Sequence, residues 1–215
     1  MPIYNFDSRP EVFKELDLIN HPPVNILDVG CGEGDFIMHF HEYNSNIWAI
    51  EPVEKFAKIA SSKVNKLICQ PVEEAIKELP DGYFDYIFFN DVLEHLYDPE
   101  EILLQIKSKL KPDGFIVTSI PNVRFFQNLK EVLVKQDWEY KDQGILDDTH
   151  IRFFTQKSIL RMWDKLNFKI IKFKGINRMN FSPFNKFYML LKILSKGKSN
   201  EDTRYLNFVT IMQVK

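Results

Sequence analysis

The sequence predicts an α/β protein in which helices cover both faces of a mostly parallel sheet. Two observations carry this prediction. Short apolar runs alternate with segments of helical apolar spacing between residues 25 and 120, which is the rhythm of successive β-α units. The run FDYIFF at 84–89 is almost continuously apolar, as expected for a strand buried on both faces. Such alternation favours right-handed crossovers and parallel strands.

Each element follows from its local pattern. The β-rich runs predict strands at 25–29, 46–50, 66–69, 84–89, 115–120, 169–174 and 205–214. Apolar residues at helical spacing predict helices at 35–43, 53–64, 72–79, 99–110 and 158–166. Pro80 stops the third of these helices, and Pro112 with Gly114 ends the fourth. The rhythm breaks in an aromatic-rich insertion at 121–155 and again at 176–204, and residues 1–23 form an N-terminal helical segment.

Composition narrows the class of protein. The chain has 215 residues, within the reach of one domain, and 28 basic against 30 acidic residues give a net charge of -2. This balance excludes a general nucleic-acid binder that works by neutralising phosphates. Two cysteines argue against a disulfide framework, and no His, Asp or Glu cluster has metal-ligand spacing. Without a long apolar run or a signal peptide, we expect a soluble cytoplasmic protein, monomeric or homodimeric.

The main chemical signal is a glycine-rich turn after the first predicted strand, DVGCGEG at 28–34. Glycines let a backbone approach a ligand closely and adopt positive φ. Glu51 ends the second predicted strand, where a carboxylate accepts hydrogen bonds from ribose hydroxyls. The pair predicts a ribose-bearing cofactor at the strand ends.

The spacing favours one type of cofactor. A dinucleotide fingerprint needs a third glycine, and position 35, the nearest in that spacing, is Asp. The phosphate-binding sequence GxxxxGK[ST] is also missing. Asp28 would oppose a pyrophosphate, whereas its charge suits an ammonium and a sulfonium.

Four motifs in order resemble the class I S-adenosylmethionine-dependent methyltransferases, in the small-molecule branch of types 11, 12 and 23. These motifs are NILDVGCGEGDF, AIEPVE, FDYIFFNDVLEHLYDPEEIL and LKPDGFIVTSIPN. The resemblance implies a Rossmann-like sandwich with seven strands, the last of them antiparallel. It also implies methyl transfer from S-adenosylmethionine to a small molecule, such as a sugar or a secondary metabolite.

The resemblance also implies cofactor-binding roles. Asp28 and the backbone of Gly30, Cys31 and Gly32 would hold the methionine part. Glu51 would hold the ribose, with Pro52 beside the adenine. Asn90 and Asp91 would line the methionine and sulfonium, and Arg9 would reach the methionine carboxylate.

The adenine contacts depart from the family pattern. Many relatives place an acidic residue after the third strand, where this chain reads Gln70-Pro71-Val72. Because Pro71 has no N–H, the adenine amino group would be met by Gln70, by Glu73 or by the Val72 backbone.

Two histidines are the candidate catalytic residues. His150 lies in the irregular insertion beside Asp147 and Asp148, which would hold its ring, and it is either a general base or a loop anchor. His95 follows the fourth strand and either contacts the substrate or orients that loop. Cys31 lies in the glycine loop, where a small packing residue is a better interpretation than a nucleophile.

The two insertions carry further hypotheses. We expect 121–155 to act as a lid, its aromatic residues forming a subdomain core or walls of the acceptor pocket. Within 176–204 an apolar stripe is surrounded by basic residues, so 181–198 either packs on the protein or a second subunit, or contacts a membrane surface.

Two other functions stay open at this point. One is a non-catalytic domain that binds S-adenosylmethionine or a partner, and the second is a nicotinamide-dependent oxidoreductase. The missing third glycine disfavours the oxidoreductase.

Overall fold

The computed structural model describes residues 8–18, 20–182, 184–197 and 200–215. The strands are β1 (Asn25–Val29), β2 (Asn46–Ile50), β3 (Lys66–Ile68), β4 (Phe84–Asn90), β5 (Leu110–Pro121), β6 (Phe168–Arg178) and β7 (Tyr205–Val214). They form one seven-stranded sheet in the order β3-β2-β1-β4-β5-β7-β6. Strands β1 to β5 pair in parallel, and β7 is antiparallel to both of its neighbours. The predicted mixed sheet with an antiparallel last strand is therefore confirmed.

The helices connect the strands. The α-helices are α1 (Pro10–Phe13), α2 (Glu54–Ala60), α3 (Val72–Ala75), α4 (Pro99–Ile106), α5 (Phe126–Lys130), α6 (Gln156–Lys165) and α7 (Lys186–Leu194). Short 3₁₀ helices lie at Phe36–Tyr43, Ile76–Glu78, Leu93–His95, Lys107–Lys109 and Glu201–Arg204, and a π-helical turn lies at Glu131–Lys135. Thr155 caps α6 by accepting a hydrogen bond from the backbone N–H of Ser158.

Apolar cores fill both faces of the sheet. Along β1 and β4, Leu27 and Ile87 point to one face, where Leu103 and Trp163 of α4 and α6 cover them. Ile26, which precedes Leu27 in β1, belongs to the core on the opposite face. Burial on both faces explains why the strand sequences read as continuous apolar runs.

Several predicted boundaries were wrong. The segment 36–43 is a 3₁₀ helix, and the helix predicted at 72–79 is a short α-helix followed by a 3₁₀ turn. Strand β5 begins at Leu110, where it pairs with Phe84, so Pro112 and Gly114 lie inside the strand. A Cβ at position 114 would come within 2.8 Å of the Phe84 carbonyl oxygen, so glycine allows this close backbone approach.

The N-terminal segment and the second insertion each contain one short α-helix. Of the predicted helical segment 1–23, the structure shows the four-residue α1, and residues 1–7 lie outside the described residues. The second insertion contains α7 and joins β6 to β7. In the described parts of the chain, no helix has both the length and the apolar character needed to cross a bilayer.

Candidate active site

A cavity of about 1010 Å³ opens where the carboxyl ends of the parallel strands meet. Predicted site residues from six stretches of the chain line it. They are Arg9, Asp28, Gly30, Cys31, Gly32, Glu51, Pro52, Pro71, Val72, Asn90, Asp91, His95 and His150. Gln70 is exposed and does not line the cavity. This volume is at the upper end of the size typical of a small-molecule site.

Asp28 is a buried acid that lines the cavity. Its side chain is 2 % exposed, and the described residues offer no hydrogen-bond donor to its carboxylate. Burial, and then the charge of Glu51, raise the pKa of Asp28 to about 8. A bound cation would offset the cost of burying the Asp28 carboxylate without a hydrogen-bond donor. The site therefore fits a ligand with an ammonium or sulfonium group.

Glu51 ties the glycine-rich turn to the end of β2. Its two carboxylate oxygens accept the N–H groups of Gly32 at 2.8 Å and Val53 at 2.9 Å. Burial raises the pKa of Glu51, and these two hydrogen bonds partly offset that rise. Each carboxylate oxygen has further acceptor capacity for a ribose hydroxyl.

The glycine-rich turn has little free N–H capacity. The N–H groups of Gly30 and Cys31 donate to the Ile50 carbonyl, at 2.8 and 3.1 Å, and that of Gly32 donates to Glu51. The backbone contribution to a bound ammonium would therefore come from carbonyl oxygens. Gly30 has φ +68°, and a Cβ there would lie 2.7 Å from a Val92 methyl, so close packing also requires this glycine.

Asn90 ends β4 and Asp91 follows it, and the two side chains differ in their surroundings. Both polar atoms of the Asn90 side chain are shielded from solvent, and none of the described residues gives them a hydrogen-bond partner. Asp91 has a φ of +53° and accepts hydrogen bonds from Arg9, Ser119 and Asn207. Arg9 is thus bound to Asp91, and the orphaned Asn90 amide is the polar group available to a ligand.

The wall after β3 is formed by residues 71–73. Val72 is buried, and Glu73 lines the cavity where Gln70 does not. Of the three predicted partners of the adenine amino group, Val72 and Glu73 therefore line the cavity and Gln70 does not.

The two candidate histidines lie together at the other end of the cavity. Their ring centroids are 4.6 Å apart. His150 is 8 % exposed, and its Nδ1 lies 3.0 Å from the Ile145 carbonyl oxygen. His95 Nδ1 lies 3.2 Å from the Thr149 carbonyl oxygen. A carbonyl only accepts, so Nδ1 is the donor in both contacts, and Nε2 is the second ring nitrogen of each histidine.

The carboxylate that faces His150 is Glu94. Glu94 Oε1 lies 3.9 Å from His150 Nε2, and Glu94 is 1 % exposed without a hydrogen bond to either carboxylate oxygen from the described residues. Burial, and then the charge of Asp91, raise its pKa well above the usual range. The expectation that Asp147 or Asp148 holds the His150 ring was wrong, because the Asp147 carboxylate accepts the backbone N–H and hydroxyl of Thr149 instead.

The fold creates a ligand cluster that sequence spacing did not show. One side-chain ligand atom from each of Glu94, His95 and His150 lies within 4.8 Å of the others. Each imidazole donates its Nδ1–H to a carbonyl, which is the usual support of a metal-binding histidine. These three side chains would therefore suit a divalent cation.

The insertion 121–155 supplies one wall of the cavity through residues 141–145, Asp147, Thr149 and His150. It is fixed to the turn after β4, since Ile151 and Arg152 donate their N–H groups to the Glu94 carbonyl at 3.0 Å. None of its six aromatic side chains lines the cavity. Phe125, Phe126 and Phe154 are buried, whereas Trp138 and Tyr140 are exposed. The aromatic residues therefore do not wall the cavity: Phe154 joins the main apolar core, and Phe126 packs against Phe181 and Phe187.

Cys31 faces the cavity but is not an activated thiol. Burial, and then the charge of Asp28, raise its pKa above the usual range and keep the thiol protonated. This supports its interpretation as a small packing residue.

Comparison with known proteins decides the family. A family model described as "Methyltransferase domain" matches residues 5–172. The chain belongs to this family of methyltransferases. The predicted class I S-adenosylmethionine-dependent methyltransferase is confirmed, and the oxidoreductase alternative is not favoured.

A curated relative has a more specific name. The methyltransferase is 25 % identical over 158 residues to the ubiquinone biosynthesis O-methyltransferase of Rickettsia bellii. The match covers 71 % of this chain and 65 % of that relative, so it spans just under two thirds of the relative's length.

Solved structures share the fold of this methyltransferase. A SAM-dependent methyltransferase from Archaeoglobus fulgidus has a TM-score of 0.66 at 18 % identity, with 96 % of this chain and 94 % of that chain covered. The 1,6-didemethyltoxoflavin-N1-methyltransferase of Burkholderia thailandensis, solved with 1,6-didemethyltoxoflavin and S-adenosylhomocysteine, has a TM-score of 0.61 at 16 % identity, with 97 % and 78 % covered.

Sequence reasoning missed two polar residues of the site. Glu94 stands between Leu93 and His95 in a mixed stretch, DVLEHL, where no local pattern marks a buried acid. Asn207 comes from β7, and its amide donates to Asp91 Oδ1 at 2.9 Å. No local signal marked Asn207, because the antiparallel pairing of β7 with β5 brings it to the cavity.

Proposed function

We propose that this methyltransferase transfers a methyl group from S-adenosylmethionine to a hydroxyl group of a small molecule. The observation that carries the proposal is the buried carboxylate of Asp28, which lacks a donor and lies in the cavity with Glu51. Asp28 fits the ammonium of the methionine part, and Glu51 fits the ribose. When bound, the cofactor supplies an electrophilic methyl group on its sulfonium.

The protein would contribute alignment and a proton acceptor. Asn90 offers unpaired polar atoms at the end of β4, and Asp91, held by Arg9, fixes the turn that follows. Residues 141–145 of the insertion line the cavity, and their closure over a bound ligand would exclude water. His150 lines this cavity with Nδ1 against the Ile145 carbonyl, so a neutral His150 would accept the hydroxyl proton on Nε2 as the methyl group arrives. Hydroxyl acceptors are favoured because the curated relative is named an O-methyltransferase.

A second route for the proton is favoured by the cluster of Glu94, His95 and His150. A divalent cation held there would lower the pKa of a coordinated acceptor hydroxyl, and His150 would then act as a ligand. The cation route predicts that dialysis against a chelator abolishes turnover and that an added divalent cation restores it. With His150 as the base, turnover is unchanged by chelation.

Binding of S-adenosylhomocysteine is expected to release a proton below about pH 8. Because the pKa of Asp28 is about 8 without ligand, its carboxyl group is protonated at neutral pH and must ionise to accept an ammonium. Affinity should therefore rise as pH increases towards 8. Calorimetry in buffers of different ionisation enthalpy measures the released proton.

The matched ligand for this experiment is 5′-methylthioadenosine, which keeps the adenosine but lacks the ammonium. 5′-Methylthioadenosine should bind with less proton release. The difference between the two ligands separates the proton released by Asp28 from any proton released by Glu51. Equal proton release by the two ligands would contradict the Asp28 assignment. Failure of both to bind would contradict the proposed cofactor.

The substitution Glu51→Ala is expected to weaken binding of S-adenosylhomocysteine by roughly 1.5–3 kcal/mol, the scale of hydrogen bonds to a charged group. The ribose contacts and the N–H contact of Gly32 are both lost. Titration calorimetry measures the change. Glu54→Ala is the control, because Glu54 is a nearby exposed acid outside the cavity lining. An unchanged dissociation constant in folded Glu51→Ala protein would remove the ribose assignment.

Residues 141–145 are expected to exchange amide hydrogens more slowly when S-adenosylhomocysteine and an acceptor are bound. They line the cavity as part of a lid, so a ligand restrains them. Hydrogen–deuterium exchange with mass spectrometry measures this, and the exposed turn at 61–62 provides the unaffected reference. Identical exchange in the free and ternary states would indicate a purely structural insertion.

The acceptor is identified by a screen scored by release of S-adenosylhomocysteine. Phenols, catechols and sugar hydroxyls are the classes to compare with amines. A protein that binds S-adenosylhomocysteine but methylates none of these would support the alternative of a non-catalytic binding domain.

A further inference from the structure

The helix α7 lies at the same edge of the sheet as the cavity. Strand β6 is antiparallel to β7, which is antiparallel to β5, so β6 runs in the direction of the parallel strands. Its carboxyl end therefore lies beside theirs, and the insertion that leaves it starts there. Asn177 at the end of β6 and Leu206 at the start of β7 both line the cavity.

One face of α7 is fixed to the protein. Tyr188 and Leu191 are buried, and the Tyr188 hydroxyl donates to Glu201 at 3.0 Å. The Arg204 guanidinium lies 5.1 Å from the centre of the Tyr188 ring, and Phe187 contacts Phe126 with ring centroids 5.2 Å apart. The helix is thus held in a defined orientation.

The opposite face of α7 is apolar and exposed. At about 100° per residue, Met189, Leu190 and Ile193 lie away from Tyr188 and Leu191. Ile193 is 72 % exposed, and the nearby Leu194 and Phe184 are 64 % and 80 % exposed. The stripe predicted from the sequence comprises Phe184, Phe187, Tyr188, Leu191 and Leu194. Of these, Tyr188 and Leu191 are buried, whereas Phe184 and Leu194 are exposed. Single exposed apolar residues are common, but a contiguous group on one helix marks an interaction surface.

Positive charge surrounds this face. Residues 178–200 contain five basic residues and no acidic one, in a chain whose net charge is -2. Lys186, Lys192 and Lys196 are exposed around the apolar face, and Lys198 lies outside the described residues. An apolar face with flanking lysines is complementary to an anionic lipid surface.

We propose that the exposed face of α7, with Lys186, Lys192 and Lys196, docks on the surface of an anionic bilayer. The nine-residue helix is about 14 Å long, far too short to cross a bilayer, so it would lie in the interface. A symmetric contact with a second copy would place the same lysines against one another, which charge repulsion opposes. Docking on this edge brings the cavity close to acceptors that are held in a membrane.

Vesicle co-sedimentation of the full chain tests this proposal. Binding should be strong with vesicles of phosphatidylglycerol and phosphatidylcholine and weak with phosphatidylcholine alone, and added salt should reduce it. The double variant Ile193→Ser/Leu194→Ser should lose at least about tenfold in affinity because it removes the inserted apolar area. Lys186→Gln/Lys192→Gln should lose about fivefold per lysine.

Matched controls carry the same chemical changes elsewhere. Ile59→Ser/Leu104→Ser removes exposed apolar side chains, and Lys58→Gln/Lys77→Gln removes exposed lysines, on helices away from α7. Both controls should bind as the unaltered chain does. Equal binding to neutral and anionic vesicles, or equal losses in the controls, would overturn the proposal. So would a dimer in analytical ultracentrifugation that Ile193→Ser/Leu194→Ser dissociates. The readout needs no turnover, so its failure is distinct from a failure of the proposed methyl transfer.

Discussion

The substitution His150→Ala is expected to lower the rate of methyl transfer by about 10²–10⁴-fold, the usual contribution of a general base. His150 lines the cavity, and because Nδ1 contacts the Ile145 carbonyl, Nε2 is the ring nitrogen that would take the proton. The affinity for S-adenosylhomocysteine should change little, since Asp28 and Glu51 lie on other elements. Steady-state turnover and calorimetry on the same protein separate the two effects.

A loop-anchoring role of His150 makes a different prediction. In His150→Asn, the side-chain amide keeps a donor for the Ile145 carbonyl but has no basic nitrogen. If His150 is the base, His150→Asn should turn over as slowly as His150→Ala. If His150 only anchors the loop, His150→Asn should restore turnover. His41→Ala is the control, since His41 is exposed and contacts the Lys63 carbonyl outside the cavity lining. A loss of less than about tenfold in His150→Ala, below the range for a general base, would assign the anchoring role.

The cofactor half of the site could be predicted because its residues are close in sequence to strand ends. Asp28 lies at the carboxyl end of β1 and Glu51 directly follows β2, so the parallel pairing of two short apolar runs is enough to bring them together. The turn that follows β1 is short and rich in glycine, which leaves few alternative geometries. Here the sequence pattern and the fold carry the same information.

The acceptor half could not be predicted in the same way. The contact of Glu94 with His150 joins the turn after β4 to an irregular insertion with no apolar period. Asp147 and Asp148 are near His150 in sequence, but the turn directs Asp147 to Thr149. Similarly, the link between Arg9 and Asp91 depends on how the N-terminal segment crosses the sheet. Such contacts depend on tertiary packing that local spacing does not encode.

The substitution Gly32→Val is expected to abolish detectable binding of S-adenosylhomocysteine. Gly32 has a φ of +56°, a conformation that a β-branched residue avoids. Its N–H also positions Glu51, so a displaced turn would disturb the ribose contact as well as the cavity beside Asp28. Calorimetry should show no heat of binding at ligand concentrations that saturate the unaltered protein.

Backbone strain alone does not explain this expected loss, and a second glycine allows the two causes to be separated. Gly82 has a φ of +60°, lies in a turn outside the cavity lining, and would place a Cβ in open space. Gly82→Val therefore carries similar conformational strain without touching the site. Both variants should lose a similar amount of thermal stability, and only Gly32→Val should lose the ligand. If folded Gly32→Val protein binds S-adenosylhomocysteine as tightly as Gly82→Val does, the glycine-rich turn is not the cofactor site.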